Sequence, residues 1–253
     1  MLIDALALPA DARVDQRVPK KLLLQQGAPT VADKRQIGNG IEEMSWIAAL
    51  KPTNIGVPEY RDAVREYLEI AVLTVALRPA AKPTRLVELI HRAIPYPVVL
   101  VAEHGDTVAL SLAHKRWSQG EAGKTVLDGE VVSVEWNHEG HEQHEGDFLA
   151  AIALARQPRR HLPAVYQGWL DCATALAAAR ITGAFAVPDT ADRSAALRDG
   201  LDAHVRLNRE LAALRAQAER EKQLNRRVQL NLEIKRLEAE LATTAKSLER
   251  NSK

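Results

Sequence analysis

The sequence predicts an α+β fold: a mixed or antiparallel sheet with covering helices, followed by a long C-terminal helical arm. Three observations carry this. Apolar, β-branched runs of strand length recur between residues 69 and 136, separated by turn residues. Helical periodicity appears between two of those runs and again after 147. The last quarter, 189–253, has no proline, a single glycine at Gly200, and a composition rich in Leu, Ala, Glu, Arg and Lys. The expected organisation is a sheet domain over 1–145, a helical segment packed on it over 146–188, and one long helix over 189–253.

In chain order, Pro9, Val14, Val18, Leu22 and Leu23 have helical spacing interrupted by Pro19, which predicts a short helix at Lys20 to Gln25. Thr30 and Asp33 read as N-cap and acidic N3 residue of a second helix, weakened early by Gly38 and Gly40. Met44 to Leu50, ended by Lys51-Pro52, reads as a strand, and Thr53 to Val57 as a short extension. Glu69 to Leu77 is a buried strand closed by a Pro79/Pro83 loop. A helix capped by Thr84 follows, with Leu86, Val87, Leu89, Ile90 and Ile94 inward. Pro95-Tyr96-Pro97 stops it and starts the strand Val98 to Ala102. Gly105-Asp106 turns that strand into Thr107 to Ala113, and Val126 to Trp136 supplies another. Hairpins of this kind argue against a doubly wound sheet.

Helix returns at Asp147, with Phe148, Ile152 and Leu154 inward and Pro158 as the stop. A second helix spans Ala164 to Ile181, burying Val165, Trp169, Ala173 and Leu176 and ending at Gly183 as the C′ residue. Pro188-Asp189-Thr190 opens the arm. There Leu207, Leu211, Leu214 and Ala218 form one apolar seam, and Leu230, Ile234, Leu237, Leu241 and Leu248 form another. Extending the first seam predicts core positions at Asn225, Val228 and Leu232. The second seam starts about two residues out of phase, roughly 200° around a helix of 3.6 residues per turn. With no glycine or proline between 219 and 229 to make a turn, the arm reads as one continuous helix rather than an antiparallel hairpin. Its halves would bury different faces, one against its own subunit and one against a second chain.

Among 253 residues, 34 Lys and Arg balance 33 Asp and Glu, so no global field draws the chain to nucleic acid or membrane. Any nucleic-acid contact is local, and Arg220, Lys222, Arg226 and Arg227 are its candidates. A lone Cys172 excludes an internal disulfide and a cysteine-rich zinc site. The N-terminus lacks the pattern of a signal peptide, and the most apolar run, Ala173 to Val187, is short and broken by Arg180. The expectation is a cytoplasmic protein without a membrane partner.

Three stretches invite a chemical reading. Ser118 to Thr125, SQGEAGKT, resembles a phosphate-binding P-loop. Ser118 replaces the first glycine, however, and a strand follows instead of a helix, so the stretch reads as a hairpin loop. His138 to Glu145 collects three histidines three apart, which is not the HExxH arrangement, and reads as an exposed polar loop rather than a metal site. Glu43, Glu69, Glu103 and Lys115 are the types a magnesium nuclease uses, but the strand order does not converge them, and Glu69 is expected to open a strand with its side chain in water. No catalytic, cofactor or metal residue is assigned.

Over nearly the whole length the chain resembles a bacterial family known only as a domain of unknown function. Trp46 to Leu50 with Pro52-Thr53, Glu69-Ile70, Ile94-Pro95-Tyr96-Pro97, Lys115-Arg116 and the Glu221 to Asn231 helix carry the resemblance. It implies a gene beside a site-specific DNA methyltransferase and a helicase-type ATPase, in islands resembling restriction and phage-defence systems. The expected function is therefore a non-catalytic accessory or adaptor subunit docking through its arm onto such a partner or a second copy of itself. The partner-binding residues would be Leu207, Leu211, Leu214, Leu230, Ile234, Leu237, Leu241 and Leu248. A magnesium-dependent nuclease or DNA-binding subunit of the same system is the alternative.

Overall fold

The computed structural model describes residues 2–26, 29–137 and 143–251, and it separates into two compact units, Met1–Ala173 and Thr174–Lys253. The elements of the first unit run α1 (Leu2–Ala5), β1 (Arg13–Arg17), α2 (Lys20–Gln26), α3 (Val31–Gly40), β2 (Ile41–Leu50), α4 (Pro52–Ile55), β3 (Tyr60–Arg61), β4 (Glu66–Tyr67), β5 (Ile70–Leu77), α5 (Pro83–Ala93), β6 (Val98–His104), β7 (Thr107–Trp117), β8 (Thr125–Asn137) and α6 (Glu145–Ala151). Then come α7 (Leu162–Thr182), inside which the division falls, α8 (Ala191–Arg220) and α9 (Leu224–Asn251).

The first unit is built on a six-stranded mixed sheet in the order β1-β2-β5-β6-β7-β8. Only β5 and β6 are parallel, because α5 carries the chain between them; the other pairs are antiparallel. One sheet face presents Ala71, Leu73, Val75, Val98 and Leu100 to Leu86, Leu89 and Ile90 of α5, forming one core. On the other face, Trp136 meets Phe148 of α6 edge-on, with ring centroids 5.8 Å apart. Tyr166 of α7 ties β6 and β7 together: its hydroxyl donates to Val98 O at 2.7 Å and accepts from Ala113 N at 2.8 Å. These contacts place 146–173 with the sheet, so the division comes at Ala173/Thr174 rather than after 145 and 188.

Thr30 caps α3 as expected, its Oγ1 accepting from Asp33 N at 3.1 Å. The helix nonetheless runs through Gly38 to Gly40, where Leu86 packs so closely that an added Cβ would lie 2.7 Å from its Cδ1. Thr84 does not cap α5: Lys82 takes the N-cap place and Pro83 opens the helix. Two segments also differ from their sequence reading. Thr53 to Val57 is no strand: Pro52 sits in the first turn of α4, and Gly56 ends it in the left-handed region with φ 63°. Arg13–Arg17, inside a helically spaced stretch, is the edge strand β1, and its register shifts between Arg13 and Gln16. The short β3–β4 hairpin is organised by Asp62, whose carboxylate accepts from Val64 N and Arg65 N, both at 2.7 Å.

In the second unit, Thr190 caps α8, accepting from Arg193 N at 3.3 Å. The arm is not one helix. It breaks at Glu221-Lys222-Gln223 and returns antiparallel, with Arg215 Nη2 2.7 Å from Glu238 Oε1 and Gly200 against Leu248.

Candidate interaction surface

The break shows why glycine was not needed. Glu221 takes extended angles, φ −74° and ψ 124°, which any residue adopts. Its own carboxylate then accepts from Gln223 N at 2.8 Å, and Arg227 N donates to Gln223 O at 3.0 Å to start α9. A polar side chain thus satisfies a backbone donor freed at the turn, the same local chemistry by which Asp and Asn make turns.

Folding back resolves the phase difference between the two seams. Leu207, Leu211 and Leu237 are buried together, with Leu214, Ile234 and Leu241 packed against them. Nearer the open end, Leu197 and Leu248 close on Ala178 with Leu201 and Ile181. Two stripes that diverge along a straight rod face each other once the rod is bent, and no second chain is needed to cover them. The seam residues of the sequence reading are therefore the hairpin's own interior: Leu207, Leu211, Leu237 and Leu248 are buried, and Leu214, Leu230, Ile234 and Leu241 are half-buried.

The extension of the first seam into α9 has the opposite fate. Val228 and Leu232, read as core positions, are 50% and 64% exposed, and Leu224 one turn earlier is 67% exposed. Asn225 is exposed as well. Leu224, Val228 and Leu232 are four residues apart and share one face of α9, away from the seam that packs on α8. A heptad continued through the break puts Val228 and Leu232 in the core; the break resets the phase. The basic candidates Arg220, Lys222, Arg226 and Arg227 are all exposed and gather around the same end of the hairpin.

The polar groups of the first unit form a separate system. Lys115 on β7 is 1% exposed, and its amine donates to Ile94 O at 2.8 Å and to His91 O, carbonyls at the C-terminal end of α5. Burial pushes its pKa down to about 8. His91 is fully buried, its Nε2 is 3.0 Å from Ser111 Oγ, and its Nδ1 has no hydrogen-bond partner among the described residues. Burial, and then the neighbouring Lys115 charge, lowers the His91 pKa to about 3. Tyr67 lies 2.5 Å from His114 Nδ1, His114 Nε2 lies 2.8 Å from Gln167 Oε1, and Gln167 Nε2 donates to Asp171 at 2.8 Å. This chain of polar contacts joins β4, β7 and α7 through the interior.

The nuclease-type residues do not meet. Glu43 and Glu103 both stand beside Ala76 in the sheet register, and Glu103 pairs with Val108. Lys115 is seven positions beyond Val108 on β7, roughly 23 Å at 3.3 Å per residue. Glu43 is paired with Arg17 at 3.4 Å. Glu69 is not in water: its side chain is 12% exposed and bound to Lys51 at 3.2 Å. Ser118 to Lys124 is the β7–β8 hairpin loop, and Thr125 opens β8. Ser118 N donates to Lys124 O at 2.8 Å, Ser118 Oγ accepts from Glu121 N at 3.1 Å, and Gly123 has φ 75°. Of the histidine-rich stretch, 138–142 lie outside the described residues; His144 is the N-cap residue of α6, with its Nδ1 3.8 Å from Asp147. No helix among the described residues is long and apolar enough to cross a membrane.

Neither a curated protein nor a solved structure matches the chain. A family model does, over residues 6–241, which takes in the sheet unit from Leu6 onward and all but the end of the hairpin. The chain thus belongs to the family described as Domain of unknown function (DUF4391).

Proposed function

We propose that this chain is a non-catalytic accessory subunit of a phage-defence or restriction-modification-like complex, docking through its α8–α9 hairpin onto a larger DNA-modifying or DNA-translocating protein. The observation that carries the reading is the outer row of α9. Three large aliphatic side chains, Leu224, Val228 and Leu232, each at least half exposed, share one helix face. An apolar face left in water forgoes about 25 cal/mol for each square ångström a partner would cover. The docking residues move accordingly from the seam, which the hairpin covers itself, to this row.

Co-expression with the products of adjoining genes tests it. The chain should co-elute with a methyltransferase-type or helicase-type protein, and Leu224→Ser/Val228→Ser/Leu232→Ser should abolish co-elution while leaving the circular dichroism of the isolated chain unchanged. Co-elution that survives the triple substitution contradicts the reading. A second reading, DNA contact by the same end of the hairpin, is favoured by the exposed cluster Arg220, Lys222, Arg226 and Arg227. Its signature in the same preparations is a salt-sensitive gel shift lost in Arg226→Glu/Arg227→Glu.

A further inference from the structure

We propose that the segment seated on the outer row of α9 is an acidic amphipathic helix of the partner protein, an inference that rests on the docking reading above. The row is short and linear, the shape a helix reads with apolar anchors one turn apart. The unpaired charges beside it on α9 are basic. Arg227 follows Leu224 by three residues and Lys235 follows Leu232 by three, so both lie one helical turn along the row's face. Both are exposed, and neither forms an ion pair among the described residues. Arg226, Arg220 and Lys222 add positive charge at the break. The nearby carboxylates are already engaged: Glu233 pairs with Arg236 at 3.5 Å, Glu238 with Arg215 at 2.7 Å, and Glu221 accepts from Gln223 N. Glu219, exposed, belongs to α8 rather than to this face.

Charge decides between occupants of similar shape. A second copy laid antiparallel on the row would bring Arg227 and Lys235 of each chain close to those of the other. Like charges so placed cost free energy, and they oppose encounter as well. A helix with Leu or Ile anchors four residues apart and Asp or Glu beside them meets the same row with opposite sign. Beyond Leu232 the face continues through Ala239 and Ala242, both exposed, whose small side chains let a second helix approach closely.

Fluorescence anisotropy with the full chain tests the assignment. The probe is a labelled synthetic peptide of about 20 residues, roughly 30 Å of helix, with leucines four residues apart flanked by glutamates. Its counterpart carries lysine for every glutamate. The glutamate peptide should bind at least about tenfold more tightly than the lysine peptide and weaken with added salt. Arg227→Glu/Lys235→Glu should reverse that preference, and Leu224→Ser/Val228→Ser/Leu232→Ser should remove binding of both. Equal binding of the two peptides, binding of neither, or a preference unmoved by the charge reversal overturns the proposal. So does a self-associated chain that the triple serine variant converts to monomer, or a duplex oligonucleotide that competes for the row. The two readings fail separately. Co-elution lost in the serine variant but kept in the charge-reversed one retires the acidic helix and keeps the docking face; co-elution kept in both retires the docking face.

Discussion

At the residue scale, the buried ionisable groups set how the first unit responds to pH. Lys115 titrates at about 8 when folded against 10.5 in the free side chain. Below pH 8 the folded protein holds a buried charge, at a cost of about 3 kcal/mol, and this cost disappears as pH rises from 8 to 10.5. Cys172 acts in the opposite sense. Its thiol is pushed up to about 12 from 9.0 by burial, so above pH 9 the unfolded chain loses protons that the folded chain keeps, and stability falls. The urea midpoint of the sheet unit should therefore rise between pH 8 and 9 and flatten or fall beyond it. Tryptophan fluorescence reports this unit alone, since Trp46, Trp117, Trp136 and Trp169 all lie within it. In Lys115→Met the rise from pH 8 to 9 should vanish, whatever the variant's absolute stability. A rise of the same size in that variant contradicts the assignment. His91 adds a second window on the acid side. Because it stays neutral down to about 3 when folded, stability is lost as pH falls through 6.5. None of this is legible in the sequence, where Lys115 reads as a nuclease-type residue beyond the strand Thr107 to Ala113. Burial of a lysine against two helix-end carbonyls depends on where α5 stops, and only the packed fold shows that.

At the element scale, local chemistry was readable and phase was not. The Thr30 cap, the Pro95-Tyr96-Pro97 stop and the Gly183 end, with φ 74°, stand where their residue types put them, because each acts on its own backbone neighbours. β1 and α4 were missed for a related reason. The edge strand is short and charged, and Pro52 serves a helix start as readily as a strand end. The arm was misread because a break without glycine or proline leaves no local mark; Glu221 makes it with an ordinary extended backbone and its own carboxylate. What selects the hairpin is the pairing of seams across it. Leu248 is fully buried against Leu197 and Gly200, so Leu248→Ala should cost about 2–4 kcal/mol. Thermal unfolding followed at 222 nm should show a helical transition moved to lower temperature, with the tryptophan transition unchanged. A helical transition that does not move would remove Leu248 from the list of residues holding the hairpin shut.

At the scale of the whole molecule, the chain divides into a sheet body with a buried polar network and a hairpin that its inner seam holds closed, whose outer row is the docking face proposed above. The docking face exists as described only if α8 and α9 fold back. In a continuous helix the inner seam would be bare too, and Leu224, Val228 and Leu232 would not be singled out. Spin labels at Arg206→Cys and Thr243→Cys, both exposed in the native chain, decide this, and buried Cys172 leaves the labelling selective. Helix axes 8–10 Å apart predict a dipolar distance below about 30 Å. A distance near 55 Å, roughly 37 residues of uninterrupted helix at 1.5 Å each, would contradict the hairpin and the docking face with it.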